Sequence, residues 1–158
     1  MHVRDIIESK VIKSEQDLIS LCTKLKHNLT LVNGTFDLLH PGHLNLLMSA
    51  KDLGLPLLVL INSDDSIRAL KGEDRPIYKQ EDRVYYLASL FYVDYIYVFP
   101  ELRITRYLEI IRPRYWVKGS DYVGKVEQSE YDKAMELSII IHYVGRTDFS
   151  STELIEKL

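Results

Sequence analysis

Two histidines three residues apart stand at the beginning of a helical pattern, in the segment His40-Pro41-Gly42-His43. Imidazole N–H groups can donate hydrogen bonds to phosphoryl oxygens as negative charge builds up during a displacement at phosphorus. Pro41 suits the first position of a helix, and Gly42 leaves the backbone open to a close-lying anion. A helix start also offers unpaired N–H groups and the positive end of the helix dipole. The segment therefore predicts a nucleotide-phosphate site; the alternative is a pair of histidines that only cap a helix.

Apolar residues on both sides place these histidines on a turn between a strand and a helix. The apolar run at 29–32 predicts a strand, whereas Leu44, Leu47 and Met48 repeat with the helical period. A second candidate phosphate cradle opens the last helical pattern, where Ser150 and Glu153 have capping-box spacing. Hydroxyl groups there could face the histidines, with Arg146 as a partner of the triphosphate.

Basic residues flank a polar loop that contains both Gly and Pro, from Lys71 to Pro76. Lys71, Arg75 and Arg83 could neutralise a departing pyrophosphate, and solvated surface charge is the alternative for each of them. The loop is therefore expected to lie near the phosphates of a nucleotide.

The segment Lys118-Gly119-Ser120-Asp121 ends a predicted strand and is also expected to lie at the site. Asp37 and Asp121 could help to hold Mg²⁺ through oxygen or water contacts, and turn capping is the alternative. We expect Mg²⁺ to be carried mainly by the phosphates of the nucleotide.

Periodicity along the chain predicts an α/β fold, a single Rossmann-like, doubly wound, parallel five-stranded sheet with helices on both faces. The strands are expected at 29–32, 55–61, 95–99, 115–117 and 139–144. Helices are expected at about 15–26, after His43, around Val84 to Phe91, and around Ile104 to Ile111. Ligands of such sheets bind at the carboxyl ends of the strands, which is where the candidate residues fall.

Size and composition favour one domain over residues 1–158, with residues 1–28 as a helical extension packed on it. The net charge is −3 and the 20 basic residues form no block, so no nucleic-acid partner is expected. No apolar run approaches the roughly 20 residues that cross a bilayer, so no membrane partner is expected. The single cysteine, Cys22, is interpreted as a small buried residue of a cytoplasmic protein.

The segments Gly34-Thr35-Phe36-Asp37, His40-Pro41-Gly42-His43 and Ser150-Ser151-Thr152 resemble the cytidylyltransferase-like nucleotidyltransferase family over nearly the whole chain. The middle of the chain is most similar to the adenylyltransferase domain of the ADP-heptose synthase (RfaE/HldE) group. The segments that carry this second similarity are 62–64, 70–77, 81–83, 93–94 and 117–122.

The resemblance implies transfer of AMP from ATP to D-glycero-β-D-manno-heptose 1-phosphate, which gives ADP-heptose and pyrophosphate on the way to lipopolysaccharide core. It also implies Mg²⁺, a homodimer, and a separate sugar kinase that makes the acceptor. Thr35, Ser120 and Arg146-Thr147 depart from that group, and Thr35 and Arg146-Thr147 instead resemble glycerol-3-phosphate cytidylyltransferase. CTP with a phosphorylated alcohol such as glycerol 3-phosphate is therefore an alternative, and a non-catalytic nucleotide-binding module is a second one.

Three sets of site residues follow from these patterns. Catalytic roles are predicted for His40, His43, Lys71 and Arg146. Nucleotide contacts are predicted for Asn33, Gly34, Thr35, Phe36, Gly42, His43, Lys118, Gly119, Asp121, Ser150, Ser151 and Thr152. Contacts with the acceptor substrate are predicted for Asp37, Asn62, Arg75 and Arg83.

Overall fold

A computed structural model describes residues 1–145. Strands and helices alternate along most of this part of the chain. The elements are α1 (Val3–Ser9), α2 (Glu15–Lys24), β1 (Thr30–Gly34), α3 (Pro41–Lys51), β2 (Leu57–Asn62), α4 (Asp64–Lys71), α5 (Gln80–Ala88), β3 (Tyr95–Phe99), α6 (Thr105–Ile111), β4 (Tyr115–Gly119), a 3₁₀ turn (Ser120–Tyr122), α7 (Gln128–Glu136) and β5 (Ile140–Val144). None of the helices in residues 1–145 combines the length and the apolar character that a membrane crossing requires.

The strands form one parallel sheet with the order β3-β2-β1-β4-β5. The central strand β1 pairs with β2 from Thr30↔Leu57 to Gly34↔Ile61, and its other edge pairs with β4 at Leu31↔Trp116. The chain thus runs outward from β1 to β3, returns to β4, and continues outward to β5. This arrangement confirms the predicted α/β class with its five parallel strands, within residues 1–145.

Alternate residues of the inner strands enter two separate apolar cores, one on each face of the sheet. Leu58 and Leu60 of β2 join the core under α2, α6 and α7, whereas Val59 and Ile61 join the core under α3 and α5. Every residue of β2 is buried, as the continuous apolar run predicts for a strand covered on both faces. Helices therefore cover both faces of the sheet, and the loops lie at its carboxyl edge.

The N-terminal segment is bonded to the edge of the sheet formed by β3. Val11 forms a parallel bridge with Ile96, and Lys10 Nζ donates to the Leu90 carbonyl at 2.9 Å. In α2, the predicted cap is confirmed because the Ser14 hydroxyl accepts from the Asp17 N–H at 3.1 Å. Cys22 is fully buried in the core, and burial raises the pKa of its thiol to about 11, so the interpretation as a packed, unreactive residue is supported.

Several local expectations differ from the structure. Helix α5 ends at Ala88, and Phe91 is 90% exposed in the following turn instead of facing the core. The apolar pattern does not predict α1, α4 and α7, because each is short and buries at most two side chains. The longer helices are marked by three or four apolar residues that recur with the helical period, and these short helices lack such a series.

Candidate active site

The two histidines of the H-x-G-H segment are interlocked at the start of α3. His40 is the N-cap residue, and its Nδ1 accepts from the Gly42 N–H at 3.1 Å. The His40 N–H lies 3.3 Å from His43 Nδ1, and the two rings stack with centroids 3.8 Å apart. Pro41 occupies the first helical position, as predicted. Gly42, in contrast, gives its N–H to the His40 ring, which corrects the expectation that this group is open to an anion.

These hydrogen bonds fix the tautomer of both rings. Because Nδ1 of each ring is the acceptor, each neutral ring carries its proton on Nε2. Burial, helped by the neighbouring His40 and Lys71, lowers the pKa of His43 to about 3, whereas a hydrogen bond with the Leu38 backbone acts in the opposite direction. His43 is therefore a neutral hydrogen-bond donor at physiological pH.

The basic loop begins close enough to the histidines for the charge of Lys71 to act on His43. Lys71 ends α4, and its pKa is lowered, first by burial of the ammonium and then by the positive charge of Arg75. Arg75 Nε donates to Asp37 Oδ2 at 2.6 Å, while Arg75 Nη2 is buried with no hydrogen-bond partner among the described residues. Lys71 also influences the His43 pKa, so these cations and the imidazole share one electrostatic environment.

Asp37 has a structural role in place of the predicted contact with substrate or Mg²⁺. Its side chain is fully buried, and its carboxylate accepts from Arg75 and from the N–H groups of Ile77 at 2.8 Å and Tyr78 at 3.0 Å. Burial raises the pKa of Asp37, but the backbone N–H groups and Arg75 outweigh it and hold the pKa below its usual value. With both oxygens in use, Asp37 anchors the basic loop to the β1–α3 turn.

Arg83 also differs from its predicted role in substrate binding. It is fully buried, and Nη1 donates to the carbonyls of Thr35 at 2.9 Å and Asn62 at 2.7 Å. Nε donates to the Tyr78 carbonyl at 3.1 Å, and Nη2 to the Asp64 carboxylate at 2.8 Å. The guanidinium thus joins the segments that follow β1 and β2 to the end of the basic loop, and has no face turned to a ligand.

Phe36 belongs to the packing of the turn. Its side chain is buried, and its ring centroid lies 5.0 Å from that of His43. The φ of Phe36 is +48°, a left-handed conformation that costs a non-glycine residue about 1–2 kcal/mol. The Tyr86 hydroxyl donates to the Phe36 carbonyl. Tyr86 is a residue that sequence reasoning missed, because it lies 50 positions away on α5.

A cavity of about 460 Å³ lies at the carboxyl edge of the sheet. Its volume falls within the range of small-molecule pockets, roughly 300–1,000 Å³. Predicted site residues that line it are Asn33, Gly34, Thr35, Asn62, Lys71, Lys118 and Gly119. Further lining residues, which sequence reasoning missed, are Arg103, Tyr122, Lys125, Glu127 and Glu130.

Two of the lining amides are held by the protein itself. Asn33 Oδ1 accepts from Trp116 Nε1 at 2.9 Å, and Asn62 Nδ2 donates to the Ser66 hydroxyl at 2.9 Å. Since alternate side chains of a strand share a face, Asn33 and Asn62 lie on the face of Leu31 and Leu60, the side covered by α6 and α7. Helix α3 with its histidines packs on the opposite face.

Lys118 lies on the cavity face of β4. Its ammonium is nearly buried, 4.7 Å from the centroid of the Trp116 ring and 4.1 Å from that of Tyr122. Burial lowers the pKa of Lys118, while the charges of Glu130 and Asp121 oppose that effect. Asp121 folds back on Gly119, where a Cβ would lie 2.5 Å from Asp121 Oδ1, so a larger residue at 119 would displace this carboxylate.

Some predicted site residues lie outside the described part of the chain, namely Arg146, Ser150, Ser151 and Thr152. Within residues 1–145, no group of three or more His, Cys, Asp or Glu side chains could hold a metal ion. Of the two carboxylates predicted to help hold Mg²⁺, Asp37 is already paired with Arg75.

Comparisons with known proteins agree with this geometry. A sequence model described as cytidylyltransferase-like matches residues 31–157. The bifunctional protein HldE of a Nitratiruptor species is 45% identical over 126 residues, which cover 80% of this chain and 26% of that protein. HldE of Aliarcobacter butzleri is 39% identical over 150 residues, covering 92% of this chain and 31% of the relative. The chain thus spans less than a third of the length of these curated relatives.

Solved structures show the same fold. The lipopolysaccharide core biosynthesis protein from Thermoplasma volcanium GSS1 superposes with a TM-score of 0.61 and 26% identity, over 78% of this chain and 98% of that one. Pantoate-beta-alanine ligase from Francisella tularensis gives a TM-score of 0.63 at 17% identity, over 90% of this chain and 68% of that one, and supports the fold alone. The sequence match over most of the chain, the parallel sheet and the capped histidine pair show that the chain belongs to the cytidylyltransferase-like family of nucleotidyltransferases.

Proposed function

We propose that this chain transfers AMP from ATP to a sugar 1-phosphate, D-glycero-β-D-manno-heptose 1-phosphate, and releases pyrophosphate and ADP-heptose. The observation that carries the proposal is the neutral, half-buried His43 stacked on His40 beside Lys71. The HldE relatives favour the heptose acceptor and ATP, because their names match the group that the middle of the chain resembles.

The proposed chemistry needs no general base. A sugar phosphate has a second pKa near 6, so its oxygen is an anionic nucleophile at neutral pH. This oxygen attacks the α-phosphorus of ATP, and the bond from that phosphorus to the bridging oxygen breaks in line, so that the electron pair leaves with pyrophosphate. His40 and His43 donate hydrogen bonds to the developing charge, while Lys71 and Arg146 neutralise the pyrophosphate.

Positions along the carboxyl edge of the sheet suggest where each substrate binds. In our proposal, the triphosphate lies over the β1–α3 turn, against the histidines, and Ser150, Ser151 and Thr152 are assigned to the same nucleotide. The acceptor enters the cavity at this edge, which Asn33, Asn62 and Lys71 line. Gly34 and Thr35 also line the cavity, which would bring the acceptor phosphate to the α-phosphorus.

Further parts of the proposal concern the partners of the reaction. Mg²⁺ would arrive on the triphosphate, where it screens the phosphate charges. A sugar kinase must act before this enzyme, because the acceptor is itself a phosphorylated sugar. We also propose a homodimer and a cytoplasmic location, the compartment in which ATP is available.

The test is pyrophosphate release in the presence of Mg²⁺, with ATP and CTP each crossed against heptose 1-phosphate and glycerol 3-phosphate. Turnover confined to ATP with the heptose is the expected result. Turnover confined to CTP would move the protein to the cytidylyltransferases that Thr35 and Arg146-Thr147 resemble. His43→Ala is the matched variant, and its residual rate reports whether the observed turnover comes from this site.

A further inference from the structure

Lys118 carries a nearly buried ammonium without a carboxylate partner. Among the described residues, no carboxylate oxygen lies within 4.0 Å of Nζ, and no side-chain hydrogen bond involves it. The faces of Trp116 and Tyr122 attract the cation, yet they leave its three N–H bonds available. Lys118 can therefore donate hydrogen bonds to a ligand in the cavity.

Glu130 lies on the same cavity and is also nearly buried, at 7% exposed. Its Oε1 accepts from the Ile104 N–H at 3.0 Å, which fixes the orientation of the carboxylate. No donor among residues 1–145 bonds to Oε2. The negative charge of Glu130 acts on Lys118 through space and raises its pKa against the effect of burial. The cavity therefore holds a buried cation and a buried anion that do not bond to each other.

We propose that Lys118 and Glu130 bind neighbouring hydroxyl groups of a polyhydroxylated acceptor and thereby select a sugar phosphate over a short phosphorylated alcohol. This inference rests on the proposed function and names the groups that choose its acceptor. A hydroxyl both donates and accepts, so one sugar hydroxyl donates to Glu130 Oε2 while the next accepts from Lys118 Nζ. The sequence pattern assigned Lys118 to the nucleotide instead.

The opposite charges of Lys118 and Glu130 disfavour other occupants of this end of the cavity. A phosphate group would be attracted by Lys118 and repelled by Glu130, and an apolar chain would leave both charges desolvated without a partner. A three-carbon phosphate also fills less of a 460 Å³ cavity than a sugar ring, whose hydroxyl groups surround its perimeter. A ring with several hydroxyl groups satisfies both residues at once.

Two variants test the pairing while keeping its surroundings. Lys118→Met removes the ammonium and keeps an unbranched side chain at this position, and Glu130→Gln keeps an acceptor for the Ile104 N–H. Removal of a hydrogen bond to a charged group weakens binding by about 10- to 100-fold. We expect each variant to raise KM for heptose 1-phosphate by that factor, with KM for ATP changed less than about twofold. Lys24→Met and Glu8→Gln are the matched controls. They change exposed helix positions that are distant in sequence from Lys118 and Glu130.

Isothermal titration calorimetry with heptose 1-phosphate adds a readout that does not depend on turnover, and thermal melts establish that each variant is folded. Unchanged acceptor affinity in both variants, or a raised KM for ATP alone, would overturn the inference and leave the proposed function standing. The wild-type protein could bind heptose 1-phosphate and yet turn over none of the substrates. If both variants then lose this binding, the result would support the inference and refute the proposed function. A wild-type protein that neither binds nor converts the sugar phosphate would overturn both.

Discussion

Replacing Arg83 with methionine tests whether one buried guanidinium assembles the site. The side chain is fully buried and donates four hydrogen bonds, to the carbonyls of Thr35, Asn62 and Tyr78 and to the carboxylate of Asp64. Methionine fills a similar volume but donates none of these bonds. The segments after β1 and β2 would then lose their shared anchor, although no residue that touches substrate in our proposal has been changed.

The cost follows from which acceptors lose their partner. Asp64 is 22% exposed, so water can replace part of its lost ion pair, whereas the Asn62 carbonyl is buried with the guanidinium. Breaking a buried pair by removing one partner typically costs about 3–5 kcal/mol. For a chain of this length, each kcal/mol lowers Tm by about 2–4 °C, so we expect a loss of roughly 6–20 °C.

Urea denaturation followed by circular dichroism measures this free energy, and a thermal melt gives Tm. Arg68→Met is the matched control, since Arg68 pairs with the exposed Asp65 and should change stability by less than about 0.5 kcal/mol. Pyrophosphate release should fall further in Arg83→Met than the folded fraction does, because the β1–α3 turn is no longer fixed. A loss of stability below about 1 kcal/mol would refute the argument that Arg83 holds these segments together.

Three further predictions concern the histidine pair and Asp37. His43→Ala should lower kcat by about 10²–10³, the usual effect of removing one preorganised donor, and an unchanged kcat in steady-state assays would remove His43 from the chemistry. The NMR signal of the His43 ring, assigned by its loss in His43→Gln, should show no titration between pH 5 and 8, because burial and the nearby charges keep the pKa near 3; a midpoint near 6.5 would contradict the buried placement. Asp37 has a lowered pKa in the folded state, so its contribution to stability is present above pH 4 and is lost as the pH falls through the folded value. Asp37→Asn should therefore lower the urea midpoint at pH 7 more than at pH 3, and an equal loss at both would show that the charge of Asp37 does not stabilise the loop.

Local patterns in the sequence are enough to predict much of the sheet. The strand at Tyr95–Phe99 is predicted with the bounds that it has, because its β-branched and aromatic residues lie between polar turns. The start of α3 is predicted from Pro41, since the position of a proline at a helix start depends on local geometry. Features that depend on only a few neighbouring residues can therefore be predicted from the sequence.

The roles of the charged residues depend on contacts between distant parts of the chain. Asp37 and Arg75 are 38 positions apart, and Arg83 meets Thr35 across 48 positions. A carboxylate that follows a strand can contact either a ligand or a basic loop of the same protein. The sequence pattern is the same in both cases. Glu130 is missed for a related reason, because it belongs to the short helix α7, which shows little apolar pattern, and reaches the cavity only through the fold.

The charged groups of the site fall into two classes, those that the protein itself pairs and those that remain available to a ligand. Asp37 and Arg83 are saturated by partners within the protein, so they hold the turns in place and contribute little field to the cavity. Lys118 is nearly buried without such saturation, and burial is the largest cause of its lowered pKa. A desolvated ammonium gains more from an arriving hydrogen-bond acceptor than a hydrated one does, since its hydration has already been lost on folding. In the proposed reaction, the neutral His43 then adds a donor to the transition state without adding a charge that would hold pyrophosphate in the site.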